Sequence, residues 1–176
     1  TYVWGGDQGR SWEHLGTGLL GCEVVRVPDG WRVTHIFHGD PADNARSPLA
    51  EPGVGVREGD EILAVNHRPF SPDMPFYAAF ENRAGKALVL TVRRGGERRD
   101  VVVTPTGDDR RLRYVDWVRQ NREYVDAQTD GRMGYLHLPN MGTPGLVAFE
   151  TWFHPQLDRE GLVVDVRWNG GGFVSQ

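Results

Sequence analysis

Cysteine is nearly absent from this chain: one, Cys22, among 176 residues. That excludes an internal disulfide and with it the stapled scaffold of small secreted domains. No apolar run approaches the ~20 residues needed to span a bilayer, and the opening TYVWGGDQGR has neither the charged nor the apolar region of a secretory leader. An excess of one charge is missing too, since 20 basic residues stand against 24 acidic ones for a net −4. No electrostatic footprint of a nucleic-acid binder follows from that balance. The six histidines, His14, His35, His38, His67, His137 and His154, fall at no metal-ligand spacing, and one cysteine cannot build a zinc site. No metal or other cofactor is therefore expected, and each histidine reads as a surface or half-buried side chain. Together these absences predict a cytoplasmic chain with no membrane or nucleic-acid partner. A chain that opens on Thr1 is also expected to be a piece of a longer protein.

What is present divides into two patterns. From Leu15 to about Pro105, short β-type runs alternate with turns. They include Trp31 to Phe37, Glu61 to Val65, and a hairpin pairing Ala87–Arg94 with Arg99–Thr104 across Gly95-Gly96. Pro75 to Arg83 (PFYAAFENR) reads as a short helix ended by Gly85. The basic clusters RRGGERR (Arg93 to Arg99) and RRLR (Arg110 to Arg113) read as solvated faces of a hairpin tip and a helix start. After the polar break TPTGDD the period changes to about 3.6. Leu112, Val115, Val118 and Val125, flanked by Tyr114, Trp117 and Tyr124, predict a helix from Asp109 to Gln128 docked by one face. A strand (Arg132–Leu138), a helix (Gly145–Phe153) and a strand (Gly161–Val166) then predict a βαβ unit with parallel strands. One such unit cannot cover both faces of its sheet.

The stretch Asn169-Gly170-Gly171-Gly172 ends that last strand. A phosphate cradle is excluded, because no Lys-Ser/Thr follows and no G-x-G-x-x-G spacing exists. Two readings remain open: an ordinary tight turn, which the residues alone favour, and a backbone oxyanion hole. Ser175 lacks the G-x-S-x-G elbow of a nucleophile. Asp165, a carboxylate in an apolar strand, needs a partner if buried, and Arg167 with nearby N–H groups is the expected one.

Two motifs carry a family resemblance. Arg57-Glu58-Gly59-Asp60-Glu61-Ile62-Leu63-Ala64-Val65-Asn66 resembles the signature of a PDZ domain of the permuted bacterial type, with a longer link at Pro52–Val56 than is usual. RYVDWVRQNREYVDAQTDGRMGYLHLPNMG and GLVVDVRWNGGGFVSQ resemble the tricorn protease family, within the clan of C-terminal processing serine peptidases. The resemblance implies an α+β PDZ-like domain, a partly open β-barrel, followed by a partial α/β crotonase-like βαβ segment. Its implied organisation is a junction segment at 1–14, the PDZ-like domain at 15–106, a linker helix at 107–130 and a truncated first part of the catalytic core at 131–176. The implied activity is serine peptidase hydrolysis through an acyl-enzyme, in a parent that forms hexamers. The resemblance puts the family's Ser-His pair just upstream of Thr1 and its nucleophile and glutamate beyond Gln176, so the chain alone is expected to be inactive.

Of the catalytic parts, the resemblance carries over Gly172 as an oxyanion-hole N–H, with Gly170 and Gly171 in the same turn. It also implies a carboxylate-binding loop, Leu15-Gly16-Thr17-Gly18-Leu19-Leu20, whose N–H groups would receive a peptide C-terminus while the helix around Phe76–Phe80 supplies the pocket. An extended peptide would then add to the neighbouring strand. The alternatives are a peptide-binding adaptor and a PDZ-like module that serves only as a scaffold.

Overall fold

A computed structural model describes residues 16–39 and 46–172. It divides the chain into two compact units, residues 1–110 and 111–176.

The first unit is an antiparallel sheet. Its strands are β1 (Cys22–Val27), β2 (Gly30–Ile36), β3 (Glu61–Val65), β4 (Arg68–Pro69), β5 (Leu88–Arg94) and β6 (Glu97–Val103). They run in the order β1-β2-β3-β5-β6, with β4 paired to β3. Gly30 is required where β2 crosses β3, because a Cβ there would lie 2.2 Å from the Ile62 carbonyl oxygen. Gly95 (φ 55°) and Gly96 (φ 90°) close the β5–β6 hairpin, and two positive φ values in a two-residue loop make a type I′ turn that matches the strand twist. A second two-residue turn, Asn66-His67 (φ 48° and 61°), joins β3 to β4. The core sits on one face: Leu20, Val33, Ile62, Phe80, Leu90 and Val92 are fully buried.

The segment read as a helix at Pro75–Arg83 is a single 3₁₀ stretch, Phe76–Phe80. Its C-cap is Glu81, four residues before Gly85. Aromatic packing fixes it: Phe76 touches Trp31, Phe70, Tyr77 and Phe80 with ring centroids 5.0–5.8 Å apart.

The motif around Asp60 acts as a weld. Asp60 is buried, and its carboxylate accepts the Arg57 N–H (2.9 Å) and both Nε–H and Nη2–H of Arg94 (2.6 Å each). Burial pushes its pKa up, but the bonds from Arg94 and Arg57 together hold it below the usual carboxylate range. The long link at Pro52–Val56 is tied in by the same hairpin, since Arg99 donates to the carbonyls of Val54 and Gly55 and Arg94 to that of Gly55. Thus RRGGERR is not simply a solvated tip. Arg93 grips Glu61 and Asp29, and the cluster spends its charge on structure.

The second unit holds α1 (Arg110–Gln128), β7 (Met133–His137), α2 (Thr143–Phe153) and β8 (Gly161–Asp165). Strands β7 and β8 are parallel, from Met133 opposite Gly161 to His137 opposite Asp165, as the strand-helix-strand order predicts. On β7, Tyr135 and Leu136 are buried. Val163 and Val164 on β8 are 39% and 45% exposed and point to opposite faces, so the strand that its composition makes look buried is open on both sides there. On α1, Leu112 and Val118 face inward with Asp116, whereas the flanking Tyr124 is exposed. Asp116 is paired with Arg119 (2.8 Å), and its carboxylate also accepts the Gln120 Nε2–H (2.6 Å).

Candidate functional site

The carboxyl ends of β7 and β8 open into two loops that knit together. Asn169 donates its Nδ2–H to the Leu138 carbonyl (2.9 Å), Gly170 N–H to that of Pro139 (3.0 Å), and Met141 N–H to that of Gly171 (2.8 Å). Asn169 Oδ1 accepts from Gly171 N–H inside the turn (2.8 Å). On the facing loop, Asn140 Oδ1 accepts from Gly142 and Gly145 N–H, both at 3.0 Å, and so caps α2. Gly145 belongs there because a Cβ would sit 1.8 Å from the Asn140 carbonyl oxygen.

The three glycines of the turn are not equivalent. A Cβ on Gly170 would meet nothing nearer than 3.8 Å. Gly171 has φ +78° with open space around it. Gly172, at φ +151°, forms an isolated parallel bridge with Met141, and a Cβ there would lie 2.5 Å from the Met141 carbonyl carbon and 2.7 Å from Gly142 N. The bridge draws on the Gly171 carbonyl rather than on the Gly172 N–H. Gly172 thus lies against the residues that lead into α2, beside the end where a helix carries its positive partial charge. That charge comes from the helix that precedes β8 in sequence. Main-chain N–H groups without side chains beside a helix N-terminus suit an oxygen on which negative charge develops.

Behind the turn lies a polar network that sequence reasoning missed in part. Asp165 is buried, and its carboxylate takes Arg167 N–H, the Arg167 guanidinium and the Tyr135 hydroxyl (2.7 Å). The Arg167 guanidinium chiefly holds the Asp165 carboxyl well below the usual range. Burial, and then the Asp165 bond, push the Tyr135 hydroxyl up. His137 departs from the surface or half-buried reading: it is 4% exposed, with Nδ1 2.9 Å from the Tyr114 hydroxyl and Nε2 2.8 Å from the Arg167 carbonyl oxygen. Its partners lie 23 and 30 residues away in sequence, which is why spacing gave no hint of them. The guanidinium of Arg167 also lies 5.0 Å from the Trp117 ring centre.

In the first unit, Leu15 lies outside the described residues. Gly16 to Leu20 run beside the 3₁₀ stretch, but two of the proposed donors are spent there. Gly18 N–H bonds the Phe80 carbonyl (2.8 Å) and Leu19 N–H that of Thr106 (2.7 Å), so neither can receive a carboxylate in this conformation. Phe76 and Phe80, expected to line a side-chain pocket, are core residues at 4% and 0% exposure. Strand β1 is an edge of the sheet, yet the Tyr77 hydroxyl donates to its Cys22 carbonyl (3.4 Å) and Arg26 to the Ser71 carbonyl (3.0 Å), which covers part of that edge. No group of histidine, cysteine and carboxylate side chains among the described residues could hold a metal ion, and no helix among them is long and apolar enough to cross a membrane.

An antiparallel sheet with a short aromatic helix at its edge strand, followed by a parallel strand pair ending in a glycine turn, is a PDZ-like module followed by a βαβ segment. The family described as the tricorn protease PDZ domain matches residues 18–108. Tricorn protease homolog 1 of Streptomyces coelicolor is 45% identical over 163 residues, 90% of this chain and 15% of the relative. The tricorn protease of Thermoplasma volcanium is 33% identical over 161 residues, 90% of this chain and 16% of its own length. A crystal structure of the tricorn protease superposes with a TM-score of 0.80 at 33% identity, covering 90% of this chain and 16% of that one. The chain belongs to the tricorn protease family, and it spans about one sixth of the length of these relatives.

Proposed function

We propose that this chain is one part of a serine endopeptidase and that its Gly172 N–H helps to stabilise the tetrahedral oxyanion of peptide hydrolysis. The observation that carries the reading is the lack of room at Gly172, whose backbone is pressed against Met141 and Gly142 at the start of α2. A plain turn does not need that contact, whereas an N–H fixed before the reaction begins gains most from being immobile. In the parent, serine attacks the scissile carbonyl, histidine takes and returns the proton, and an acyl-enzyme forms and hydrolyses. The serine, the histidine and the glutamate are assigned to segments outside this chain. The segment 131–176 is then the first part of a crotonase-like core, 107–130 the linker helix, and 15–106 a permuted PDZ-like domain with a partly open barrel. Peptides are the substrates, the parent is a hexamer, and its compartment is the cytoplasm.

The PDZ-like module is proposed as a scaffold rather than an adaptor, because the internal bonds of Gly18 and Leu19 and the cover over β1 favour that role. The test of the catalytic reading is hydrolysis of a fluorogenic peptide library by the full-length parent with and without a serine-directed phosphonate. The parent is expected to turn over and be blocked, and the 176-residue chain to be inert. Turnover by the chain alone, or a parent indifferent to the phosphonate, would overturn it.

A further inference from the structure

Between β8 and the glycine turn the chain makes a tight reversal: Asn169 N–H bonds the Val166 carbonyl at 3.1 Å. Inside it Trp168 has φ +57°, while Arg167 is not among the residues of positive φ. That combination is the type II turn, which differs from type I by a flip of its central peptide and normally places glycine or asparagine at the third position. Tryptophan is a poor choice for it. The central peptide is the one whose carbonyl belongs to Arg167, and that oxygen is where His137 Nε2 points (2.8 Å). A carbonyl can only accept, so Nε2 carries the hydrogen. In the neutral ring Nδ1 is then an acceptor, and the Tyr114 hydroxyl of α1 is its donor at 2.9 Å. The rings of Tyr114 and Trp117 close the pocket edge-on, with centroids 5.4 and 5.0 Å from that of the imidazole.

We propose that His137 is a positioning residue: held as the Nε2–H tautomer by Tyr114, it latches the Arg167–Trp168 peptide in its flipped orientation and thereby aims the Asn169–Gly172 turn. Val166, Arg167 and Trp168 connect β8 directly to that turn, so the peptide between residues 167 and 168 sets the direction from which Gly170 and Gly171 reach Pro139 and Met141. With the latch open, relaxation of Trp168 to negative φ swings the glycines away from the start of α2. The structural part of this inference stands on the hydrogen bonds alone; its catalytic consequence rests on the oxyanion reading of Gly172.

The decisive experiment is a rescue. In the 176-residue chain, nitrogen spectra of labelled histidine should show His137 neutral with hydrogen on Nε2. His137→Ala should abolish the positive-φ signature of residue 168 and shift the amides of residues 170–172. The pair His137→Ala/Trp168→Gly should restore them, because glycine holds positive φ without a latch. In the full-length enzyme the single variant should lower kcat at least tenfold with KM within twofold, and the pair should recover most of the loss. A ring with hydrogen on Nδ1, unmoved glycine amides in His137→Ala, or failure of glycine to rescue would overturn the latch. Should His137→Ala fail to fold, the wild-type ring decides the matter: hydrogen on Nε2 with a scalar coupling across the bond to the Arg167 carbonyl is expected, and hydrogen on Nδ1, or no such coupling, refutes the latch outright. Displaced glycine amides with unchanged kcat would leave the latch standing and overturn the oxyanion assignment.

Discussion

Substituting alanine at Gly172 and, separately, at Gly170 places one methyl group at two positions of a single turn with opposite consequences. At Gly170 the added Cβ has 3.8 Å to its nearest neighbour, an ordinary contact, and φ is not positive. The expected change is within about 0.5 kcal/mol, and loss of unfolded-state freedom offsets part of it. At Gly172 the methyl would lie 2.5–2.8 Å from Met141 backbone atoms and Gly142 N at φ +151°. Those neighbours are main chain and cannot rotate aside, and the φ region alone costs about 1–3 kcal/mol for a non-glycine residue. The two loops should therefore part. Their separation is read by hydrogen exchange at the Met141 amide, which bonds the Gly171 carbonyl, and at the Gly170 amide, which bonds that of Pro139. At about 1.4 kcal/mol per factor of ten, protection at both should fall roughly 10- to 100-fold in Gly172→Ala and less than about threefold in Gly170→Ala, with β7 amides unchanged. Equal effects of the two substitutions would refute the reasoning.

Asp165→Asn should lower the stability of the second unit in urea by about 1–3 kcal/mol, since it removes the charge that Arg167 and Tyr135 address. The sign with pH follows from a folded pKa held below the unfolded value near 3.9: wild-type stability from this group is complete above about pH 5 and is lost as the pH falls through the unfolded and then the folded pKa. The gap between wild type and variant should therefore close in strong acid. In the first unit Asp60→Ala should destabilise by a similar amount, about 2 kcal/mol, and loosen the Val54–Gly55 link as well, because Arg94 serves both. Titrated free-acid and amidated peptides should bind the chain equally weakly, and a preference for the free acid would revive the adaptor reading.

Strand β3, the β5–β6 hairpin, α1 and the parallel β7–β8 pair were legible because each is declared by local periodicity or by a turn whose residues permit only one hand. Strand β1 was not read, since CEVVRV mixes Glu and Arg into a short run, and its place at the sheet edge depends on pairing with β2. The 3₁₀ stretch was misread as a longer helix because aromatic packing, not capping, ends it at Phe80. In the site, Asp165 with Arg167 could be anticipated from adjacency and the cost of a bare buried charge. His137 could not, since both partners come from other elements, and nothing in a tryptophan announces a left-handed backbone. Donor accounting explains the groove: GTGL looks like a cradle in one dimension, but Phe80 and Thr106 claim the Gly18 and Leu19 N–H groups from far along the chain.

The central claim is that Gly172 N–H faces the oxyanion, and the structure of the full-length parent trapped with a peptide boronate or phosphonate tests it most directly. The account predicts a covalent serine adduct whose oxyanion lies about 2.7–3.1 Å from Gly172 N. An adduct oxygen turned away from the Asn169–Gly172 turn, or no adduct in a parent that still cleaves peptides, would contradict it.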